Sequence, residues 1–272
     1  MSVLAIHDLS CYSKSSLTVV LPVLEALGVE TAVLPTALLS TQTDGFEDIY
    51  IENEQQQMME ILKRFKSLHL EFDGIYSGFL GSENVIDIVL SVFSSFSSLR
   101  LVDPVLGDNG KLYQTVDEGL CSAMLRLVRK ADIITPNFTE AMLLTEMDDG
   151  FCPQGQKAIR DQISVLRSLG PKRGVITGIP LKAGGLGNAA WDDGEIRLFQ
   201  YDDLHASFPG SGDLFASLLF GLVMKGCNFF ASVSHATSVA TYAVAESKRR
   251  GRERRLGVML SPVMDEIRRK IL

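Results

Sequence analysis

The chain has 272 residues, carries a formal net charge of −7 at pH 7 and is 46% hydrophobic. This charge disfavours binding to nucleic acid or to an anionic membrane surface, so we expect neither partner. The scattered cysteines Cys11, Cys121, Cys152 and Cys227 form no C-x-x-C pair, which argues against a zinc centre or disulfide framework and fits a cytoplasmic location. No signal peptide or membrane span is expected, because the apolar runs are too short.

Short apolar runs alternate with helix-type spacing of apolar residues along the first two thirds of the chain. Strands are predicted at residues 3–6, 29–38, 74–79, 99–102, 132–134 and 174–176. Helices are predicted between them at residues 17–27, 58–68, 83–93, 117–129, 137–146 and 157–169. This order predicts a mostly parallel sheet with right-handed crossovers and helices on both faces.

The pattern changes near residue 186, where three short runs at 187–192, 195–201 and 204–208 predict an antiparallel edge of the sheet. Helices at 211–224 and 229–247 follow. Neither a linker nor an internal repeat interrupts the chain, so we expect one α/β domain over residues 1–272, with three layers in the order α/β/α.

The turn Gly210-Ser211-Gly212-Asp213 leads directly into the apolar helix at 211–224. Free N–H groups and the helix dipole make a helix start an anion site, and glycine lets a ligand approach the backbone closely. A carboxylate in such a site suggests proton handling beside a phosphate, as in phosphoryl transfer. The structural alternative is that Ser211 or Asp213 only caps the helix.

Two other loops follow predicted strands and carry acidic residues. Asp103 and Asp108 could bind Mg²⁺, although Asp, Pro, Asn and Gly are also ordinary turn residues. Asn137 and Glu140 have the spacing of a helix capping box. Since ligands bind beyond the carboxyl ends of parallel strands, we expect all three loops to meet at one site.

The basic run at residues 248–255, KRRGRERR, is interpreted as a solvated loop or helix end rather than as a phosphate or partner site. His205 and His235 are isolated in the sequence. They are more typical of structural residues, with the border of an adenine pocket as the alternative.

The order of these segments resembles the ribokinase superfamily, and more specifically its pyridoxal/pyridoxamine kinase branch. The motifs that carry the resemblance are DPVLGD at 103–108, TPNxxE at 135–140, Thr177-Gly178, and GSGDLFA at 210–216, with AIHDLS at 5–10 and LSTQT at 39–43. The resemblance implies a ribokinase-like fold and transfer of the ATP γ-phosphate to the 5′-hydroxymethyl group of a vitamin B6 vitamer. It also implies a homodimer.

The resemblance also implies site residues. Asp213 would be the base, with Gly210, Ser211 and Gly212 donating N–H groups to the transferring phosphate. The substrate would contact Asp8, Ser10, Thr43 and Tyr76, together with Asp213. ATP would contact Asp108, Tyr113, Asn137, Thr177, Gly178 and Phe208, together with the 210–212 turn. Mg²⁺, with K⁺ or Na⁺ beside it, would be held by Asp103, Asp108, Thr135 and Glu140.

The sequence departs from this branch at several positions, since Asp8 and Gln42 stand where many members have serine and histidine, and Ser211 where threonine is commoner. An aspartate at position 8 suggests a preference for the aminomethyl group of pyridoxamine. Two alternatives stay open: a hydroxymethylpyrimidine kinase, whose branch resembles Gly-x-Gly-Cys at the turn, and a non-catalytic B6-binding protein.

Overall fold

A nine-stranded sheet forms the centre of the part of the chain described by the computed structural model, residues 1–147, 156–182 and 184–270. Its strands are β1 Ser2–Ser10, β2 Glu30–Leu39, β3 Ile51–Asn53, β4 Gly74–Ser77, β5 Leu99–Val102, β8 Ile133–Ile134, β9 Arg173–Pro180, β10 Leu186–Asp192 and β11 Glu195–Tyr201. A separate two-stranded hairpin comprises β6 Gly107–Asp108 and β7 Lys111–Leu112.

The strand order is β11-β10-β9-β8-β5-β4-β1-β2-β3. The six strands from β9 to β2 in this order are parallel, whereas β3 pairs antiparallel with β2 at one edge. The strands β10 and β11 form an antiparallel pair at the other edge. The predicted α/β class and mostly parallel sheet are therefore confirmed, and the sheet has two antiparallel edges rather than one.

Helices cover both faces of the sheet. One layer contains α2 Gln55–Ser67, α3 Glu83–Ser95, α4 Glu118–Val128, α5 Phe138–Thr145 and α6 Gln156–Ser168, and the other contains α1 Leu17–Ala26, α7 Ser211–Met224, α8 Phe229–Arg249 and α9 Ser261–Lys270. The alternation of β1 shows how the sequence builds both cores. Leu4 and Ile6 pack in the first layer, while Val3 and Ala5 pack in the second.

Besides the hairpin β6–β7, which lies in a predicted loop, three elements differ from the sequence predictions. Residues 204–208 form no strand; this segment is an irregular loop, in which the Leu204 carbonyl accepts a hydrogen bond from Lys248 Nζ at 2.6 Å. The edge strand β3 was missed because its three residues are too few to show an alternation. The helix α9 was missed as well; its buried Val263 and Ile267 lie four residues apart on one face.

Candidate active site

A cavity of about 800 Å³ opens at the carboxyl edge of the parallel strands. The loops after β1, β2, β5, β8 and β9 line it, together with the turn before α7 and one face of α8. With one exception, every site residue predicted above lies in its wall: Asp8, Ser10, Thr43, Asp103, Asp108, Tyr113, Thr135, Asn137, Glu140, Thr177, Gly178, Phe208, Gly210, Ser211, Gly212 and Asp213. The topology therefore brings the three loops together.

The exception is Tyr76, which we expected to contact the substrate. Its side chain is fully buried and does not line the cavity. It packs edge-on against His7, with ring centroids 4.3 Å apart, and tilts against Phe220 at 5.9 Å. Tyr76 lies in β4, so its alternating side chain enters the core layer formed by α1 and α7 instead of the site.

The turn before α7 requires glycine at its first position. Gly210 is the N-cap of α7 and has φ of 80°, a left-handed conformation that side chains rarely adopt. A Cβ atom there would also lie 2.5 Å from the Lys14 carbonyl oxygen. At Gly212, in contrast, a Cβ would meet nothing within 4 Å, so there is open space beside this residue in which a ligand could approach the backbone.

Asp213 is held in the first turn of α7 by a residue that the sequence did not reveal. The Ser16 N–H donates a hydrogen bond of 2.8 Å to Asp213 Oδ2, and the Ser16 hydroxyl donates a short one to Asp8. Ser16 precedes α1 and has a positive φ of 47°, a strained conformation for serine. The contact joins residues 197 positions apart, so no local pattern signals it.

The carboxylates of the cavity have raised pKa values because they are buried close together. Burial, followed by the negative charge of Asp8, raises the pKa of Asp213 to about 6, and the Ser16 N–H opposes this. Burial and the neighbouring Asp213 raise the pKa of Asp103 to about 8, although the Thr135 hydroxyl donates to it at 3.1 Å. Burial also raises the pKa of Asp8, opposed by the Ser16 and Ser10 hydroxyls. Strongly perturbed groups in a cleft are typical of functional sites.

Asn137 and Glu140 form the capping box predicted from their spacing. The Asn137 side chain accepts from the Glu140 N–H at 2.9 Å, and the Glu140 carboxylate accepts from the Asn137 N–H at 2.8 Å. Glu140 also accepts from the Leu106 N–H at 3.2 Å, and Asn137 donates to the Gly107 carbonyl at 2.8 Å. The box therefore fixes the Asp103–Asp108 loop against α5, so capping and site assembly coincide. Burial, followed by the charge of Asp103, raises the Glu140 pKa well above its usual range.

In the described part of the chain, no three metal-ligating side chains are grouped as a closed metal centre. The donor set nevertheless suits Mg²⁺, which commonly binds one or two carboxylates and takes its other ligands from water and phosphate. Asp103 and Asp108 both face the cavity, and Asp103 is buried, with the Thr135 hydroxyl as its hydrogen-bond donor. The residues present therefore fit a magnesium ion that arrives with a phosphate.

The other end of the cavity contains residues that sequence reasoning missed. Asn188 accepts a hydrogen bond from the Gly178 N–H at 3.1 Å and donates to the Thr237 hydroxyl at 2.9 Å, which joins β9, β10 and α8. Helix α8 lines the cavity at four positions with helical spacing: Thr237, Ala240, Thr241 and Val244. That spacing of small side chains was the available signal.

The two histidines and the residues of the basic run differ in how they relate to the cavity. His205 lines the cavity with its side chain 85% exposed, whereas His235 is absent from the lining. Within the basic run, Arg249 and Arg250 pair with Glu246 at the surface, as expected for a solvated helix end. Arg254 is exposed as well, and it also lines the cavity. Cys11, Cys121 and Cys227 are free thiols, and Cys152 lies outside the described residues.

A family model described as phosphomethylpyrimidine kinase matches residues 21–257. The chain belongs to this family. Crystal structures of relatives agree with the membership. One is a Bacteroides thetaiotaomicron protein described as a phosphomethylpyrimidine kinase and crystallised with pyridoxal; it is 31% identical, with a TM-score of 0.90 over 98% of this chain and 95% of that chain. Another is pyridoxal kinase from Lactobacillus plantarum, 30% identical, with a TM-score of 0.89 over 98% and 96%.

A curated relative is pyridoxal kinase of Arabidopsis thaliana, 28% identical over 72% of this chain and 69% of its own length. These similarities confirm the predicted resemblance to the pyridoxal kinase branch of the ribokinase superfamily. At the end of the 210–213 turn the chain has an aspartate, Asp213, and not the cysteine of the Gly-x-Gly-Cys pattern considered above.

Proposed function

We propose that this protein is a vitamin B6 kinase, which transfers the γ-phosphoryl group of ATP to the 5′-hydroxymethyl group of pyridoxal, pyridoxamine or pyridoxine. The observation that carries the proposal is the placement of Asp213: it faces a cavity at the carboxyl edge of the sheet, at the N-terminus of α7 and beside the open backbone of Gly212. A relative with 31% identity and the same fold was crystallised with pyridoxal.

The reaction follows from these positions. The hydroxymethyl oxygen attacks the γ-phosphorus, the bond from that phosphorus to the bridging oxygen of ADP breaks, and the hydroxyl proton passes to Asp213. With a pKa of about 6, Asp213 is ionised at neutral pH and is more basic than an ordinary aspartate. We assign the Gly210, Ser211 and Gly212 N–H groups to the transferring phosphate, where charge is spread over three oxygens. The Ser211 N–H donates to the Phe208 carbonyl at 3.2 Å, so it would exchange that bond for one to the phosphate.

The remaining predicted residues divide between two ends of the cavity. We assign Asp8, Ser10 and Thr43 to the pyridine ring. The nucleotide would contact Asp108, Tyr113, Asn137, Thr177, Gly178 and Phe208, to which we add Asn188 and the cavity face of α8 because they line the same cavity. We assign Mg²⁺ to Asp103 and Asp108, with Thr135 and Glu140 supporting them and a monovalent cation beside it; the metal would neutralise phosphate charge.

The second candidate is a kinase of hydroxymethylpyrimidine or its phosphate, which the description of the matching family favours. That branch resembles Gly-x-Gly-Cys at the turn, whereas this chain has Asp213. Both substrates present a hydroxymethyl group on a nitrogen heterocycle, so the same turn could serve either. Turnover therefore has to be compared directly between them.

The test is a coupled ADP assay with the three B6 vitamers, hydroxymethylpyrimidine and a simple sugar. We expect the highest kcat/KM with a vitamer. Asp213→Asn should lower kcat by about 10²–10⁴-fold, the usual contribution of a positioned base. Binding of pyridoxal, followed by its absorbance, should persist in that variant. An Asp213→Asn enzyme within a few-fold of wild type would refute the assignment, and binding of pyridoxal without turnover by wild type would indicate a carrier.

We also propose a homodimer in the cytoplasm. The candidate interface includes Leu9 and Leu38, which are exposed neighbours on β1 and β2. Tyr12 and Tyr50, in the segments that follow β1 and precede β3, are exposed as well. Sedimentation velocity tests the dimer.

No helix in the described residues has the length and apolar character needed to cross a membrane.

A further inference from the structure

The cavity has an imbalance of charge. Eight carboxylates line it: Asp8, Asp44, Asp103, Asp108, Glu140, Asp202, Asp203 and Asp213. Against them, Arg254 is the only lysine or arginine among the lining residues in the described part of the chain. A site that accepts a polyphosphate needs positive charge, so the position of this one guanidinium is informative. The inference below rests on the proposed kinase function and deepens it.

Arg254 is bound by a carboxylate in a geometry that a phosphate could replace. Its Nη1 and Nη2 donate to the two oxygens of Asp44 at 2.7 and 2.5 Å, a two-point pairing. Its Nε donates to the Ser207 hydroxyl at 3.4 Å. The planar guanidinium fork matches phosphate in the same way as carboxylate. Both partners remain accessible, since the Arg254 and Asp44 side chains are 47% and 38% exposed.

The backbone places Arg254 next to the phosphate turn. Residues Arg254–Leu256 form a short 3-10 turn, which Arg252 braces by donating to the carbonyls of Leu256 and Gly257 at 2.7 and 2.5 Å. The Val258 N–H then bonds to the Pro209 carbonyl at 2.9 Å, one residue before Gly210. The segment that carries Arg254 is therefore fixed to the segment that begins the proposed phosphate site.

A second contact strengthens this link. Both Gly210 and Gly257 have positive φ values and pack against the carbonyl oxygen of Lys14, so closely that a Cβ atom at either would clash with it. Burial raises the pKa of Asp108, and the positive charge of Arg254 is one of the causes that oppose this shift. The pKa of Arg254 is raised mainly by its hydrogen bonds to Asp44, with a smaller contribution from Asp108. The segment of Arg254 is thus linked through the backbone to the 210–213 turn, and its charge acts on Asp108 of the proposed metal-binding loop.

We propose that Arg254 is a phosphate-binding residue of the nucleotide site, and that Asp44 occupies its guanidinium until the phosphates of ATP replace the carboxylate. The phosphates would then contact the guanidinium group of Arg254 on one side and the N–H groups of the 210–213 turn on the other. Release of Asp44 removes one restraint on the loop between β2 and β3, which carries Thr43, one of the proposed ring contacts. Nucleotide binding is thereby coupled to the substrate end of the cavity.

The experiment measures ATP, ADP and AMP binding by calorimetry, with KM and kcat for ATP and pyridoxal, in wild type and four variants. Arg254→Ala should bind ATP about 10–100-fold more weakly, the range for a lost charge-assisted contact. The ATP affinity of Arg254→Lys should lie between those of wild type and Arg254→Ala, because lysine keeps the positive charge without the planar fork of the guanidinium group. The matched control is Arg255→Ala, which removes a neighbouring arginine of equal exposure that pairs with Glu253 and lies outside the lining; it should bind ATP as wild type does.

Asp44→Asn separates phosphate binding from a structural clamp. If Asp44 competes with phosphate, this variant binds ATP at least as tightly as wild type. If the pair only clamps two loops, Asp44→Asn loses as much ATP affinity as Arg254→Ala, which overturns the proposal. ATP affinity in Arg254→Ala equal to that of Arg255→Ala also overturns it. Wild type that binds no nucleotide would instead refute the kinase function, so the two failures are distinguishable.

Discussion

Asp8 and Asp213 interact through a single intervening residue. The hydroxyl of Ser16 donates to one carboxylate and its N–H donates to the other, so both aspartates are oriented from the start of α1. Asp8 differs from the serine common in the resembled branch, and its negative charge is the second largest cause of the raised Asp213 pKa. The residue at position 8 therefore adjusts the proposed base as well as the proposed ring site.

The pH dependence tests this relation. The proposed base acts when ionised, so kcat/KM should fall as the pH drops through about 6, the pKa of Asp213. Asp8→Asn removes the neighbouring negative charge, which stabilises ionised Asp213 and should move the acid limb of the profile to lower pH. Asp203→Asn is the control, because Asp203 lines the cavity but does not contribute to this pKa shift. An acid limb that stays in place in Asp8→Asn would contradict the coupling.

At this scale the sequence predicts residues that belong to recognisable local patterns. Asp213 follows a glycine turn, and Asn137 and Glu140 have capping-box spacing, so each carries its own signal. Ser16 and Arg254 carry none, because their roles depend on contacts with segments about 200 residues away in the chain. Tyr76 was assigned to the substrate from the family resemblance alone, which does not specify the face of β4 on which a side chain lies; in the structure it is buried in the core.

The turn before α7 contains two glycines with different expected roles: Gly210 is required by the backbone, whereas Gly212 leaves room for a ligand. Gly210→Ala should lower the free energy of unfolding by about 1–3 kcal/mol, because it adds a Cβ at positive φ against a carbonyl oxygen. Gly212→Ala should change that free energy by less than about 0.5 kcal/mol, since nothing lies near the new methyl group. It should nevertheless raise KM for ATP several-fold, because the methyl group occupies the proposed phosphate approach.

Urea denaturation and steady-state kinetics of the two variants provide the measurement. The pair is informative because the substitution is identical and the positions are two residues apart. Equal destabilisation by both variants would mean that the turn is only a structural feature. A Gly212→Ala enzyme with unchanged KM for ATP would place the phosphates elsewhere in the cavity.

The long elements were predictable because each carries several turns of helix or an uninterrupted buried strand. The helices α1 to α8 and the longer inner strands repeat their apolar spacing often enough to be predicted without tertiary information. The two-residue strand β8 was predicted instead as a short apolar run between two helices. The short strand β3 and the loop at 204–208 could not be predicted in this way, because their secondary structure depends on the segments that pack beside them. Lys248, at the end of α8, donates to the loop at Leu204 from 44 residues away.

Across the whole molecule, the parallel topology gathers acidic loops from β1, β5, β8 and the start of α7 at one edge. This convergence follows from strand order and was predictable from the repeated β–α pattern. The electrostatic cost of bringing these acidic loops together was not predictable from the sequence, because it depends on how deeply each carboxylate is buried. Asp103, Glu140 and Asp213 all have raised pKa values, so in the absence of a cation the folded protein holds protons that the unfolded chain releases.

This proton uptake predicts how stability varies with pH. An unfolded aspartate titrates near pH 3.9, whereas folded Asp213 and Asp103 titrate near 6 and 8. Between these limits the folded state binds more protons, so the free energy of unfolding should fall as the pH rises from about 5 to 8. Glu246 has the opposite shift, to a pKa of about 2, but its contribution is lost only at lower pH, outside this window.

Asp103 has a larger pKa shift than Asp213, so the free energy of unfolding of Asp103→Asn, measured in urea at pH 5, 6.5 and 8, should depend less on pH than that of wild type.

Mg²⁺ with ATP should raise the melting temperature of wild type more at pH 8 than at pH 5, because carboxylates must be deprotonated to bind the metal. The same addition should stabilise Asp103→Asn less at pH 8. A wild-type stability that rises over this range, with no greater effect of Mg²⁺ at high pH, would mean that these carboxylates are already neutralised by the protein and that the cavity was not built for a cation.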